Sequence, residues 1–408
     1  MIGESGLEGA IVARSPLKFE AMPGILIDVM RLIFRRAAGT IPTGIDRVGL
    51  EYVRHYADRA RAVLSLGPLA APLSRADSAR LFGALLDGAD LGRFRLLAAR
   101  LAAKNTAWNW IRPRAGRSIL LNTANLWVNT PYYAAQLRWL GARPVFFVHD
   151  LIPITHPEFF RPAWGRRHPA RVRTMLAIGR GIIANSRDTE RALREYAERE
   201  GLACPPVVVA PLAPSVTPVR EGGAAPPQPP YFVVVGTIEP RKNHLLLLHL
   251  WRRLIEQEGG AAPRLYVVGQ RGWECENVVD LLERSSPLVG FVFERGGCSD
   301  AELAALLRGA RALLMPSFAE GFGLPVVEAL AAGVPVIASD LPAFRELAGD
   351  IPEYADPLDG ARWLELVREY ARPDSARRAA QLERIRGFRA PTWKEHFAIV
   401  DDFLDSLP

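Results

Sequence analysis

Residues 316–328, PSFAEGFGLPVVE, hold the side chains in this sequence best suited to chemistry. An apolar run, ALLM (312–315), leads into them. A helix is expected to open after Gly323, with Pro325 early enough in its first turn that the missing N–H costs little. Gly321 and Gly323 let the backbone approach a ligand closely, with Phe322 and Leu324 completing the turn. The free N–H groups and dipole of a helix start favour an anion at that place. Glu320 stands before the turn and Glu328 eight positions later on the helix. Two carboxylates beside an anion site suit a polyol, whose hydroxyls donate to them. A Gly-rich turn with two solvated glutamates is the alternative that residue types alone leave open.

Residues 236–243, GTIEPRKN, follow another apolar run, YFVVV. Gly236 permits a tight exit from a strand, and Arg241 and Lys242 place two cations on the loop before a helix. Arginine can grip phosphate oxygens in bidentate fashion and lysine adds a mobile point charge; a plain surface pair is the alternative. Residues 148–157, VHDLIPITHP, set His149 and Asp150 at an expected strand end. By type alone His149 is either catalytic or structural, and His156 reads as structural. Asp150 either orients the imidazole or caps the following turn. In TGIDR (43–47), Thr43 and Gly44 form a weak loop signal, and Asp46 either contacts a ligand or caps a helix. Cys298, in GGCS (296–299), reads as small filler, since no histidine lies near it in sequence.

From residue 299 to 349, SDAELAALLRGARALLMPSFAEGFGLPVVEALAAGVPVIASDLPAFRELAG, the chain resembles the E-x7-E region of retaining glycosyltransferases with the GT-B fold, family 4 (group 1). GTIEPRKN, VHDLIPITHP and TGIDR look most like the surface-polysaccharide mannosyltransferases among them. The resemblance implies that Arg241 and Lys242, with Gly236 and the turn around Gly323 and Leu324, hold the donor diphosphate. It implies Glu320 at the donor sugar, Glu328 at the ribose and His149 against the sugar. The loop holding Cys298 would touch the base through backbone groups, and Thr43, Gly44, Asp46 and Asp150 would lie toward the acceptor. The implied reaction is retaining hexosyl transfer to a lipid-linked or saccharide acceptor. Mannose from GDP-mannose is the best match for the donor. The resemblance implies no metal, and no DxD-like acidic pair appears in a suitable loop. No cofactor is implied, since the nucleotide sugar is itself a substrate. UDP-sugar or deoxysugar donors, and an inactive nucleotide-sugar-binding protein, stay open. Many relatives carry an arginine just after the glycine; this chain has Thr237. Phosphate binding would then lean more on Arg241 and Lys242.

Strands are expected at 24–29, 118–122, 145–148, 181–184 and 207–209. A helix is expected from 48 to about 64, and another from Arg187, capped by Asn185-Ser186. Residues 211–230, PLAPSVTPVREGGAAPPQPP, break the pattern as a linker does. The alternation restarts with strands at 231–235, 265–268, 289–293, 312–315 and 334–339. Helices are expected from about 245, over 301–309 and over 324–332, with a last helix at 393–404. The expected architecture is α/β: two Rossmann-like, doubly wound domains facing across a cleft. Residues 1–210 form the N-terminal, acceptor-binding domain, 211–230 the linker and 231–390 the nucleotide-sugar domain. A C-terminal helix, 391–408, crosses back to the N-terminal domain.

The 408 residues suit two domains, and 49% hydrophobic with 23% charged residues is ordinary globular composition. No apolar run reaches the roughly 18 residues of a membrane span. The first 20 residues carry Glu4, Glu8 and Glu20, so a secretory signal is not expected. Cys204, Cys275 and Cys298 are too dispersed for a disulfide framework or a zinc cluster. They suit a reducing cytoplasm, and the basic clusters described next suit work at the inner face of the cytoplasmic membrane. Residues 1–220 hold 31 Lys and Arg against 17 Asp and Glu, whereas the rest is mildly acidic. A cationic half suits a polyanionic partner. No nucleic-acid module is present, so nucleic acid is not expected, and a dehydrogenase would want G-x-G-x-x-G after its first strand. Residues 93–117 interleave Arg93, Arg95, Arg100, Lys104, Arg112, Arg114 and Arg117 with Phe94, Trp108 and Trp110; residues 161–173 add a second basic cluster. Both suit an anionic membrane surface. A domain-packing helix with a solvated charged face is the alternative.

Overall fold

The computed structural model describes residues 24–66, 69–88, 90–108, 118–214 and 229–407. The first seven strands are β1 (Ile25–Asp28), β2 (Ala60–Leu66), β3 (Leu69–Pro72), β4 (Ile119–Asn122), β5 (Arg143–Val148), β6 (Gly181–Ala184) and β7 (Val207–Val209). They form one sheet in the order β3-β2-β1-β4-β5-β6-β7. Only the β2–β3 pair is antiparallel. A second sheet collects β8 (Tyr231–Val235), β9 (Arg264–Val268), β10 (Val292–Arg295), β11 (Leu313–Met315), β12 (Val336–Ser339) and β13 (Glu353–Ala355). Its order is β10-β9-β8-β11-β12-β13 and every pairing is parallel. This is the GT-B architecture. Strand order reverses beside β1 and β4 in one sheet and beside β8 and β11 in the other. Such switch points open a crevice at the carboxyl ends of the strands.

The central strands are unbroken apolar runs because helices cover both faces of each sheet. Ile27, Leu121, Phe147 and Ile183 enter one core while their neighbours Leu26, Leu120, Phe146 and Ile182 enter the other. The same alternation splits Phe232 and Val234 from Tyr231 and Val233 in the second sheet. Side chains on successive strand residues point to opposite faces, so each run feeds two cores.

The C-terminal helix, Trp393–Ser406, packs on the first sheet. Tyr52 Oη lies 3.0 Å from His396 Nε2, and Tyr56 Oη donates to Asp401 at 2.8 Å. Phe397 stacks edge-on with Tyr52. Gly181 leaves room for the helix: a Cβ there would lie 2.7 Å from the Phe403 ring.

Several boundaries depart from expectation by a residue or two, and three departures have a plain physical cause. The helix expected over 48–64 runs instead from Gly44 to Tyr56. Residues 60–66, ARAVLSL, form β2, because they alternate: Ala60, Ala62 and Leu64 face one core and Val63 the other. The strand expected at 289–293 begins at Val292, since residues 286–288 make a 3-10 turn and Gly290 turns the chain at a φ of 85°. The strand expected at 334–339 begins at Val336, after Gly333 ends the preceding helix at a φ of 73°.

Phe94 also departs. It lies in the core at 1% exposure, so it is not an interfacial aromatic. It belongs to the helix Leu91–Trp108, whose Arg93, Arg95, Arg100 and Lys104 are exposed. The lead-in before residue 24, residues 109–117 and most of the linker, 215–228, lie outside the described residues. No helix among those described is long and apolar enough to cross a membrane.

Candidate active site

The site begins where β8 ends. Gly236 takes a φ of 151°, and a Cβ there would press on the Lys242 side chain at 3.2 Å. The short 3-10 turn Pro240–Lys242, closed by Asn243 at a φ of 56°, then presents Arg241 and Lys242 side by side. Both cations meet Glu320, which follows β11. Arg241 Nη1 lies 2.7 Å from its Oε2, and Lys242 Nζ lies 2.6 Å from its Oε1. Ser317 Oγ donates to Oε1 at 2.7 Å. Arg241 is itself oriented by Glu239 at 2.6 Å and by the carbonyl of Ala319 at 2.7 Å.

This buried quartet sorts its carboxylates. Burial pushes the Glu320 carboxyl up, but Arg241 and Lys242 overcome it and hold the group down at about 2. Glu239 moves the other way. Its burial outweighs the pull of the same two cations, and the Glu320 charge adds to the rise. Glu320 is therefore a firm anion that fixes two cations beside the turn 321–324.

Gly323 takes a φ of 105°, and a Cβ on it would lie 2.6 Å from the Phe344 ring. No other residue fits that position without strain. The helix Leu324–Ala331 opens directly after it, with Pro325 in its first turn as expected. Phe322 is buried. Glu328, 2% exposed, meets Arg47 Nη1 of the opposite domain at 3.2 Å, and Arg47 also pairs with Asp300.

Gly321 brings the two domains together. A Cβ on it would sit 2.3 Å from the His149 carbonyl and 2.7 Å from Asp150 Cβ. Its own carbonyl accepts from Ser186 Oγ at 2.8 Å and from Thr189 Oγ1 at 3.1 Å. His149 thus stands at the carboxyl end of β5, directly against the turn that carries Glu320. Its Nε2 lies 2.6 Å from the Thr123 carbonyl. A carbonyl only accepts, so Nε2 bears the proton and the neutral ring keeps Nδ1 as its acceptor. Burial holds the imidazole below its usual range, against the opposing pull of Thr123 and Asp150.

Asp150 Oδ1 accepts from the Ile152 amide at 3.1 Å, so it caps the following turn. His156 bonds Thr155 and stacks on Phe159, a structural setting. Asp46 Oδ2 accepts from the Thr43 amide and hydroxyl, both at 2.8 Å. Arg31 and Arg35 reach the same carboxylate at 2.7 Å and 3.1 Å. At 2% exposure Asp46 is a cap and a charge anchor. Gly44 faces the other domain, 3.7 Å from Leu324 Cδ1 at the position of a Cβ. Cys298 is partly buried, and that burial raises its thiol, so it is poorly suited to act as a nucleophile.

The structure therefore gathers Gly236, Arg241, Lys242, Glu320, Gly321, Gly323, Leu324, Glu328, His149 and Gly44 around one crevice. Glu239, Ser317, Ser186 and Arg47 join them without having been singled out in the sequence. Glu239 and Arg47 lie inside the motifs GTIEPRKN and TGIDR and were visible there as charged neighbours. Ser186 looked only like a helix cap, which it also is: its hydroxyl accepts from the Thr189 amide at 3.0 Å. Among the described residues, no group of three or more His, Cys, Asp or Glu is arranged to hold a metal ion.

Residues 217–351 match the family described as Glycosyl transferases group 1. Over 275 residues the chain is 30% identical to the serotype-specific mannosyltransferase WbdA of Escherichia coli, covering 62% of this chain and 34% of that one. Over 129 residues it is 40% identical to the O-antigen chain mannosyltransferase B of Escherichia coli, covering 32% of this chain and 33% of the relative. The chain thus spans about a third of the length of these curated relatives. The solved structure of HepE from Anabaena, in complex with UDP and glucose, superposes with a TM-score of 0.59 over 94% of this chain and 98% of that one. At 16% identity that likeness is one of fold.

Proposed function

We propose that this GT-B chain, whose residues 217–351 carry the group 1 glycosyltransferase domain, is a retaining hexosyltransferase that works without a metal. The observation that carries the reading is the convergence of Arg241 and Lys242 on Glu320, beside the start of the helix at Leu324. Breaking the bond from the sugar to the nucleotide diphosphate leaves negative charge on the departing phosphate. Two fixed cations and a helix start stabilise that charge without reorganising. Glu320 accepts hydrogen bonds from the donor sugar, Glu328 from the ribose, and the Nδ1 face of His149 meets the sugar from the opposite domain. The base is read through backbone groups near Cys298.

Mannose from GDP-mannose is the proposed donor, since the relatives above are named mannosyltransferases. The proposed acceptor is a growing surface polysaccharide, lipid-linked or free, taken up by the cationic N-terminal domain at the inner face of the cytoplasmic membrane. Thermal melting with nucleoside diphosphates, followed by transfer assays with the matching sugar nucleotides, tests the donor. Greater stabilisation by GDP than by UDP, with mannose transfer, is expected. Stabilisation by UDP alone would move the donor to a UDP-sugar. Nucleotide binding without turnover of any donor would leave a nucleotide-sugar-binding protein.

A further inference from the structure

The helix Pro162–Ile178 follows the His149 strand end and carries His168 and Arg171. Residues three apart share a helix face. Both present a buried nitrogen with no hydrogen-bond partner, Nε2 of His168 and Nε of Arg171. The other side of the His168 ring bonds the Asp150 backbone, which ties this face to the corner beside His149. Arg31 stands in the first turn of the helix Met30–Ala37, at the carboxyl end of β1. Burial disfavours the charge of Arg171, and Arg31 and Arg167 both lie near enough to disfavour it further.

The acids nearby do not balance this cluster. Asp46 is shared by Arg31 and Arg35 and takes two hydrogen bonds from Thr43. Asp150 gives one oxygen to the Ile152 amide, and its charge is felt by His149, His168 and Arg241 alike. Arg31 and Arg35 thus share one carboxylate, Asp150 is divided among three other groups, and the charges that act on Arg171 are those of Arg31 and Arg167. Holding a half-buried guanidinium beside like charges, with no acid of its own, opposes folding. An anion seated there would supply the missing partner.

We propose that Arg31, Arg171 and His168 form a phosphoryl-binding subsite on the N-terminal wall of the crevice, separate from the Arg241–Lys242 site. Its ligand is a phosphate or diphosphate ester carried by the acceptor. Assigning the ester to the acceptor rests on the glycosyltransferase reading; the presence of the anion site does not. The Arg171 guanidinium meets two phosphate oxygens, Arg31 adds charge, and the free Nε2 of neutral His168 accepts from a protonated phosphate or, once protonated, donates to a dianion.

Calorimetric titration of the full chain with GDP, and of the GDP-saturated chain with inorganic pyrophosphate or a short prenyl diphosphate, tests the assignment. Arg171→Gln is expected to weaken pyrophosphate binding about tenfold or more, the scale of one charge-assisted contact, and to leave GDP binding within about twofold. Lys242→Gln is expected to do the reverse. Arg171→Lys keeps the charge and loses the bidentate grip, so an intermediate weakening of about threefold is expected even if the glutamine variant folds poorly. Pyrophosphate binding that ignores Arg171, or that falls with GDP binding in Lys242→Gln alone, would overturn the subsite. Prenyl diphosphate binding at least about tenfold tighter than pyrophosphate, still dependent on Arg171, identifies a lipid-borne ester; equal affinity identifies a soluble one. Because the readout is binding, an inactive protein with Arg171-dependent affinity would remove the transferase reading and keep the site.

Discussion

Lys242 and Glu320, 78 residues apart in the chain, meet at 2.6 Å, with Arg241 closing on the other oxygen of the same carboxylate. The pair joins the exit of β8 to the exit of β11, the two strands flanking the switch point. Position and charge are fixed together: the acid proposed to receive the sugar is also the acid that holds Arg241 and Lys242 in place.

Separating these roles gives the first prediction. Lys242→Ala removes a cation from the growing phosphate charge and is expected to lower kcat/KM about 10²- to 10³-fold, the usual scale for one preorganised contact. Glu320→Gln frees the same cations from a competing anion. It should lower kcat by a similar factor while leaving nucleotide affinity equal or tighter. Steady-state kinetics beside GDP titration measures both. Parallel loss of affinity in the two variants would show that Glu320 acts only as a scaffold.

Gly321 gives the second. A methyl group there has no room, since His149 and Asp150 of the opposite domain already occupy its place. Gly321→Ala is expected to destabilise by about 1–3 kcal/mol, as overpacking does, and to lower activity by pushing the domains apart. Urea unfolding and a transfer assay would show it. An unchanged midpoint with full activity would mean that the domain contact yields easily.

Much of this site was legible from residue order because the motifs are local. PSFAEGFGLPVVE announces its own strand exit, glycine turn and helix start, and the structure realises each of them. What stayed hidden is what depends on contact between distant segments. Asp46 offered two roles until Arg31 and Arg35 were seen to claim it. Arg47 is an ordinary helix charge in sequence and becomes a bridge to Glu328 only when the domains face each other. The 60–66 strand was lost for a different reason: two alanines and an arginine blur its alternation, and the helix before it masks the change of period.

Membrane attachment is the third prediction. Arg93, Arg95 and Arg100 are exposed on the helix Leu91–Trp108, and Leu96 beside them is 51% exposed. With Phe94 turned inward, attraction there rests on charge more than on aromatic insertion. Sedimentation with anionic vesicles is expected at low salt and should fade as the Debye length shrinks to about 3 Å near 1 M salt. Equal partitioning to neutral and anionic vesicles at low salt would reject electrostatic docking.

Acid stability is the fourth. His244 is 1% exposed at the start of the helix that follows Lys242, and neither ring nitrogen has a hydrogen-bond partner. Burial, with help from Lys242, pushes its pKa down to about 3. Burial likewise lowers His396 to about 4, although hydrogen bonds to the Pro211 and Ala210 backbone oppose the shift. Above the ordinary value of 6.5, folded and unfolded chains both keep these rings neutral. Below it the unfolded chain takes up protons that the native one refuses. Stability is therefore fully present above 6.5 and falls with pH, by about 1.4 kcal/mol per unit for each histidine. His244→Leu is neutral throughout and breaks no hydrogen bond. It is expected to match or exceed wild-type stability near neutrality and to lower the acid slope by one histidine's share, since buried His149 and His168 add to it as well. Urea unfolding at intervals from about pH 7.5 to 5 measures it. Equal slopes in the two proteins would place the acid sensitivity elsewhere.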